Sequence, residues 1–419
     1  MAQKAAKDMS IFAVLKNKNF LRIWLIQIFS LTTAHMLNFV LIDRIFIKTS
    51  STAAVGLFFA LYYLPSVLLG PFVGVLIDRW QKKQILIFSN FFQAIIVLFY
   101  LGLGDKVWPI YTIVLLYSLC DEFFNPAIGA SLPAIVKKKF LPVANGFFFL
   151  TTQSALALGY LVGGLMLRFL KNHQPVFLFA SLVLFLAAVV AAGISRRRLE
   201  KRKKTKFNLA KFQEQLVEGY NFIKNEPRVL FPLLLLTGLQ VLLGMAIILL
   251  PSISQQILSI SFADSSFVLI APAFLGAALA NLLIEKLTQD YRKKNLITIG
   301  LFLTSFLIFL FALALPGLKW PLVLAIFLAL GLGTSFSLVF IPSLTLVQEH
   351  TPFDIRGRVF ATLSTLVTLA AAVPMLMTAT LVDLLGIDLV LLSVALIILF
   401  LGFYAQRGKY GLLGINHWS

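Results

Sequence analysis

Apolar residues run through this chain in long, nearly unbroken stretches separated by short polar breaks. The stretches cover 20–42, 53–77, 85–103, 108–134, 143–170 and 176–195, then 229–257, 264–285, 295–316, 320–346, 357–385 and 388–406. None shows the period-two alternation of a half-buried strand. A helix needs about 20 apolar residues to cross about 30 Å of hydrocarbon, and each run comes up to or exceeds roughly that length. Only helices and closed barrels satisfy their own backbone in lipid. The pattern therefore predicts an all-α membrane protein with twelve transmembrane helices.

Composition agrees, with 59% hydrophobic and only 13% charged residues, against about 25% charged in soluble domains. A net charge of +19 would suggest a nucleic-acid partner in a soluble protein, but here its distribution carries the meaning. The N-terminus and every second loop hold most of the Lys and Arg, whereas the intervening loops hold only Arg44, Lys48, Lys106, Arg168, Lys171 and Lys319. By the positive-inside rule both termini face the cytoplasm. The first stretch is too long, and too poor in a small-residue cleavage site, for a removable signal peptide. Short loops and no organelle-type presequence fit a prokaryotic plasma (inner) membrane. The single cysteine, Cys120, rules out a disulfide framework and reads as a small buried hydrophobe. No metal cluster, cofactor motif or nucleotide-binding loop is visible, and no nucleophile with a base and an orienting group, so an enzyme is not expected.

The basic stretch from Arg196 to Lys206 reads as a topology anchor touching anionic lipid rather than a nucleic-acid patch. It divides the chain into 1–195, a six-helix bundle; 196–228, a basic cytoplasmic linker; and 229–419, a second six-helix bundle. The halves echo each other. Gly70 to Lys83 is answered by Leu282 to Lys294, and Phe124-Asn125-Pro126 by Phe340-Ile341-Pro342. Six spans repeated in the same order are parallel repeats about an axis along the membrane normal, with a central cavity between them.

These residues resemble the major facilitator superfamily of secondary transporters. Gly74 to Lys83, with Asp78, Arg79, Lys82 and Lys83, is similar to its signature G-x-L-x-D-R-x-x-R-R between the second and third helices. Gln27 with Ser30, Leu64-Pro65, Leu132-Pro133, Ala144-Asn145-Gly146 and the run from Arg356 through Arg358 to Ala361 resemble the macrolide and siderophore exporter subgroup. The resemblance implies the major facilitator fold, and a cytoplasmic gate in which Gly74, Asp78, Arg79, Lys82 and Lys83 latch the halves, with Asn90, Arg356 and Arg358 nearby. Two positions depart from the family pattern. Tyr160 stands where the antiporter signature of the fifth helix has proline, and Asn90 where exporters of this type often carry an acid. Gly159, Gly163 and Gly164 permit close helix packing.

An ionisable group inside hydrocarbon is costly and marks a functional candidate by default. Asp121-Glu122, about 13 residues into the fourth stretch, lies about 20 Å from its outer end at 1.5 Å per residue. Neighbours on a helix point about 100° apart, so the two acids face different ways. Tyr117 and Asn125 accompany Asp121, and Ser118 and Asn125 flank Glu122. The resemblance implies that the fourth helix lines the cavity. On the first stretch Gln27, His35 and Asn38 share a face, and His35 is either a titrating group or a packing one. Pro65, Pro126, Pro272, Pro342 and Pro374 lie inside stretches and are expected to bend them.

The expected function is export of a hydrophobic or amphipathic small molecule by alternating access, driven by proton antiport through Asp121 or Glu122. Two alternatives stand beside it: a lysophospholipid flippase of the same fold, and a membrane receptor or scaffold without turnover. The expected partners are the substrate, protons and membrane lipid, not nucleic acid, and the compact loops suggest a monomer.

Overall fold

Helices occupy the apolar stretches because each can close its own backbone hydrogen bonds and present side chains to lipid on one side and to neighbouring helices on the other. The computed structural model describes residues 12–104, 106–170, 173–195, 209–314, 321–352 and 355–406. The first six helices are α1 (Lys18–Thr49), α2 (Thr52–Arg79), α3 (Lys82–Leu98), α4 (Trp108–Ile135), α5 (Leu141–Phe169) and α6 (Gln174–Ala192). A linker helix, α7 (Leu209–Asn225), precedes α8 (Pro227–Ser252), the short α9 (Phe262–Ser265), α10 (Ala271–Asp290), α11 (Lys293–Ala314), α12 (Pro321–His350), α13 (Arg356–Leu385) and α14 (Ile387–Gln406).

Among the described residues eleven helical segments are long and apolar enough to cross a membrane. They match eleven of the twelve predicted stretches. The remaining stretch, 357–385, is occupied by α13, whose Val373–Leu385 portion is apolar but shorter. Large apolar side chains face outward as lipid requires: Leu282, Phe400 and Phe327 are 77%, 70% and 66% exposed. In water such a surface would be an aggregation site.

Proline and glycine set many of the boundaries. Proline sits in the first two positions of α4, α5, α6 and α8, where the missing N–H costs no helical bond. Gly386, at φ 87°, ends α13 and lets α14 begin directly after it. The predicted stretch 264–285 falls in one continuous helical run. It starts as α9, widens into a π-helical segment at Ser266–Ile270, and continues as α10 with Pro272 near its start. The π turn accommodates the bond that proline cannot donate.

The chain forms two compact units, 1–48 with 61–207, and 49–60 with 208–419. In the first, Phe20, Ile23, Leu86, Phe124, Ala127, Leu132, Ala144 and Ala191 build an apolar core from α1, α3, α4, α5 and α6. In the second, Phe231, Leu235, Ile297, Leu301, Val339, Leu346 and Ile398 do the same for α8, α11, α12 and α14. Close approach depends on glycine at a few crossings. A Cβ on Gly276 would lie 1.9 Å from the Leu330 carbonyl oxygen, and one on Gly333 would lie 1.7 Å from that of Ala273. Hence α10 and α12 touch backbone to backbone.

Candidate functional site

The acidic pair sits midway along α4 in the first unit, where α2 and α3 supply its hydrogen-bond donors. Asp121 belongs to the α4 stripe containing Tyr117, Phe124 and Ile128, all three buried. Its Oδ1 accepts from the Gln93 side-chain amide of α3 at 2.6 Å, and its Oδ2 accepts from the Tyr62 hydroxyl of α2 at 3.0 Å. Glu122 points about 100° away. Its Oε1 accepts from the Ser66 hydroxyl of α2. Its Oε2 lies toward Gly70, where an added Cβ would stand 3.9 Å from it. Burying a carboxylate is tolerable only with donors on its oxygens, and these donors come from helices that apolar packing has already brought together.

Two polar atoms near Asp121 find no partner among the described residues. Gln93 Oε1 and Tyr117 Oη make no hydrogen bond there, although Gln93 and Tyr117 are 0% and 4% exposed. Asn125 is exposed, one turn along from Glu122 on the same face.

The α1 candidates are placed differently. Gln27 donates to the Phe148 carbonyl at 3.2 Å and to the Thr152 hydroxyl at 3.1 Å, tying α1 to α5. His35 meets Tyr160 edge to face, with ring centroids 6.2 Å apart. Asn38 is buried. Tyr160 is 2% exposed and also packs on Phe39, at 5.2 Å. The same α1–α5 seam carries the glycines. A Cβ on Gly159 would lie 2.6 Å from the Thr32 carbonyl oxygen and 2.6 Å from His35 Cβ, and one on Gly163 would lie 3.1 Å from Phe39. Gly164 is buried on α5.

Of the expected cytoplasmic gate, Gly74, Asp78, Arg79, Arg356 and Arg358 lie outside the residues whose side chains are described. Lys82 and Lys83 are described, and each donates to a helix end within the first unit. Lys82 Nζ reaches the Ala130 carbonyl near the end of α4, and Lys83 Nζ reaches the Ile194 carbonyl just past α6, both at 2.9 Å. Positive charge toward the C-terminal ends of these helices is favourable to their dipoles. Asn90 is fully buried; it donates to the Leu86 carbonyl at 2.8 Å and accepts from the Ser30 hydroxyl at 2.5 Å, joining α3 to α1. Cys120, expected to be buried, is half-buried beside Asp121.

Tyr62 and Ser66 are not among the residues expected from the sequence. A signal existed, since Tyr62, Ser66 and Gly70 recur every four residues in an otherwise apolar run and so share one face of α2. Asp383, at the end of α13, is a second such residue. Its carboxylate accepts from the Ser51 hydroxyl at 2.6 Å and from the backbone N–H of Thr52 and of Ala53, both at 2.9 Å, capping the start of α2 within the second unit.

The Major Facilitator Superfamily model matches residues 23–375. Macrolide efflux protein A of Streptococcus pyogenes is 26% identical over 395 residues, 88% of this chain and 90% of that protein. The uncharacterized MFS-type transporter YfiS of Bacillus subtilis (strain 168) is 26% identical over 361 residues, 83% of this chain and 82% of its own length. Among solved structures, the nucleoside transporter NupG superposes with a TM-score of 0.73 at 13% identity, covering 93% of this chain and all of that one. At that identity the likeness speaks for the fold alone.

Proposed function

The chain belongs to the major facilitator superfamily, a family of multi-pass membrane transporters of small molecules and not of enzymes, and from that premise we propose that it exports hydrophobic or amphipathic compounds in exchange for protons. The likeness to Macrolide efflux protein A supports efflux of drug-like molecules. The observation that carries the coupling is the Asp121–Glu122 pair, two carboxyl groups in mid-helix held by hydroxyl and amide donors. Neutral donors of this kind support a carboxylate without neutralising it. The acid therefore remains able to take up a proton from outside and to give it up on the cytoplasmic side.

In this reading substrate enters from the cytoplasm while a carboxylate is ionised, and protonation from the other side releases it. Apolar and aromatic side chains supply most of the binding surface, with few polar groups to orient the ligand. The protein sits in a prokaryotic plasma membrane as a monomer, both termini cytoplasmic, with Lys and Arg of the inner loops against anionic lipid.

The test is proton movement in proteoliposomes carrying an internal pH dye and an imposed gradient. Amphipathic drugs are expected to dissipate the gradient through the wild type. The double variant Asp121→Asn/Glu122→Gln should lose this response. Movement of labelled lysolipid with no proton signal would replace exchange by lipid flipping.

A further inference from the structure

The two adjacent acids have different surroundings, and the difference assigns them different work. Asp121 lies on the buried stripe of α4. Both its oxygens are taken, one by Gln93 from α3 and one by Tyr62 from α2. It thus links three helices, each oxygen held by a donor from inside the same unit. Glu122 lies about 100° round the helix, toward a more open face with Asn125, Gly129 and Pro133, all three exposed. Among the described residues nothing approaches within 4 Å of where a Gly129 Cβ would stand, and only Glu122 itself comes that near a Cβ at Gly70. Ser66 holds Oε1 of Glu122. Among the described residues no donor reaches Oε2.

Resting on the exchange reading above, we infer that Glu122 is the acid that meets the cationic group of an amphipathic substrate and trades it for a proton. Asp121 is a positioning residue that, with Gln93 and Tyr62, fixes α4 so that Glu122 faces the open side. The exchange balances simply. The ionised carboxylate pairs with an organic cation, and one proton added to that carboxylate neutralises it and sets the cation free. An amphipathic cation suits the site because glycines at 70 and 129 leave room for an apolar body beside a single negative charge. On this assignment Asp121 need only hold its neighbours, and the Gln93 amide lets an uncharged side chain do so. Asparagine there can accept from Tyr62 on one side and, with the Gln93 amide turned over, donate to the unpartnered Gln93 Oε1 on the other.

The experiment uses the full-length protein in proteoliposomes and dicyclohexylcarbodiimide, which modifies protonated carboxyl groups in apolar surroundings, with peptide mass spectrometry to locate the adduct. Modification is expected at Glu122, rising as pH falls and slowed several-fold by tetraphenylphosphonium. Asp121→Asn should keep Glu122 the modified residue and keep its protection by the cation, whereas Asp121→Ala, which breaks the link to α2 and α3, should lose that protection. Modification at Asp121 ahead of Glu122, at neither acid, or at Glu122 without protection by the cation overturns the assignment. A wild type that gives the expected pattern yet moves no protons in the dye assay would remove the exchange reading and keep the assignment. Proton exchange that survives Glu122→Gln but not Asp121→Asn would do the reverse.

Discussion

At the scale of single residues, the acids are supported by neutral donors that the membrane makes expensive to lose. Gln93→Leu removes the amide from Asp121 Oδ1 and leaves a buried carboxylate oxygen without a partner, a loss of about 1–3 kcal/mol. The thermal unfolding midpoint in detergent should fall accordingly, and Tyr62→Phe should do the same from the other side. Ser66→Ala is expected to perturb stability less, because Glu122 is more open than Asp121, and to show its effect in transport instead. Equal destabilisation by all three variants would count against the separation of the two acids. The acids themselves were legible in the sequence, since charges in an apolar run stand out. Their partners were not, because a tyrosine or serine in such a run is ordinary until another helix places a carboxylate beside it.

At the scale of helices, glycine and capping groups fix how closely elements meet. Gly276→Ala and Gly333→Ala each force a methyl into the backbone of the facing helix and should destabilise by about 2 kcal/mol or more. Gly238→Ala on α8, where no described residue lies within 4 Å of an added Cβ, should be neutral or slightly stabilising through helix propensity. The two outcomes are separable in one series of melting curves. Asp383→Ala removes the acceptor for the first N–H groups of α2 and should cost about 1 kcal/mol, the usual worth of an N-cap. Faster amide exchange in the first turn of α2, with the rest of α2 unchanged, would mark the loss as local. The capping contact spans more than 300 positions, which is why no spacing rule in the sequence could have exposed it. The π segment inside the eighth stretch escaped for a related reason. Proline in a membrane helix signals a disturbance, but the form it takes depends on which neighbours satisfy the freed carbonyl.

For the whole molecule, the loop charges make a statement about orientation that a labelling experiment can check. In a Cys120→Ala background, Lys106→Cys should react with a membrane-impermeant maleimide added to intact cells. Lys137→Cys should react only in inside-out vesicles. Both positions are exposed, so lack of reaction cannot be attributed to burial. The opposite pattern would invert the orientation and, with it, the direction assigned to transport.

What the sequence determined by itself is the class of the molecule. Apolar runs of membrane-spanning length can be only helices in lipid, and the loop signature and repeated fragments indicate the family, because both follow from local composition and order. The tertiary structure decided the rest: which hydroxyl and amide groups meet Asp121 and Glu122, that Lys82 and Lys83 reach the Ala130 and Ile194 carbonyls, and that 49–60 belongs to the second unit, where Asp383 caps the start of α2. Each is a contact between residues far apart in the chain. Its energy depends on distance and direction in space, and the order of residues specifies neither until the helices have packed.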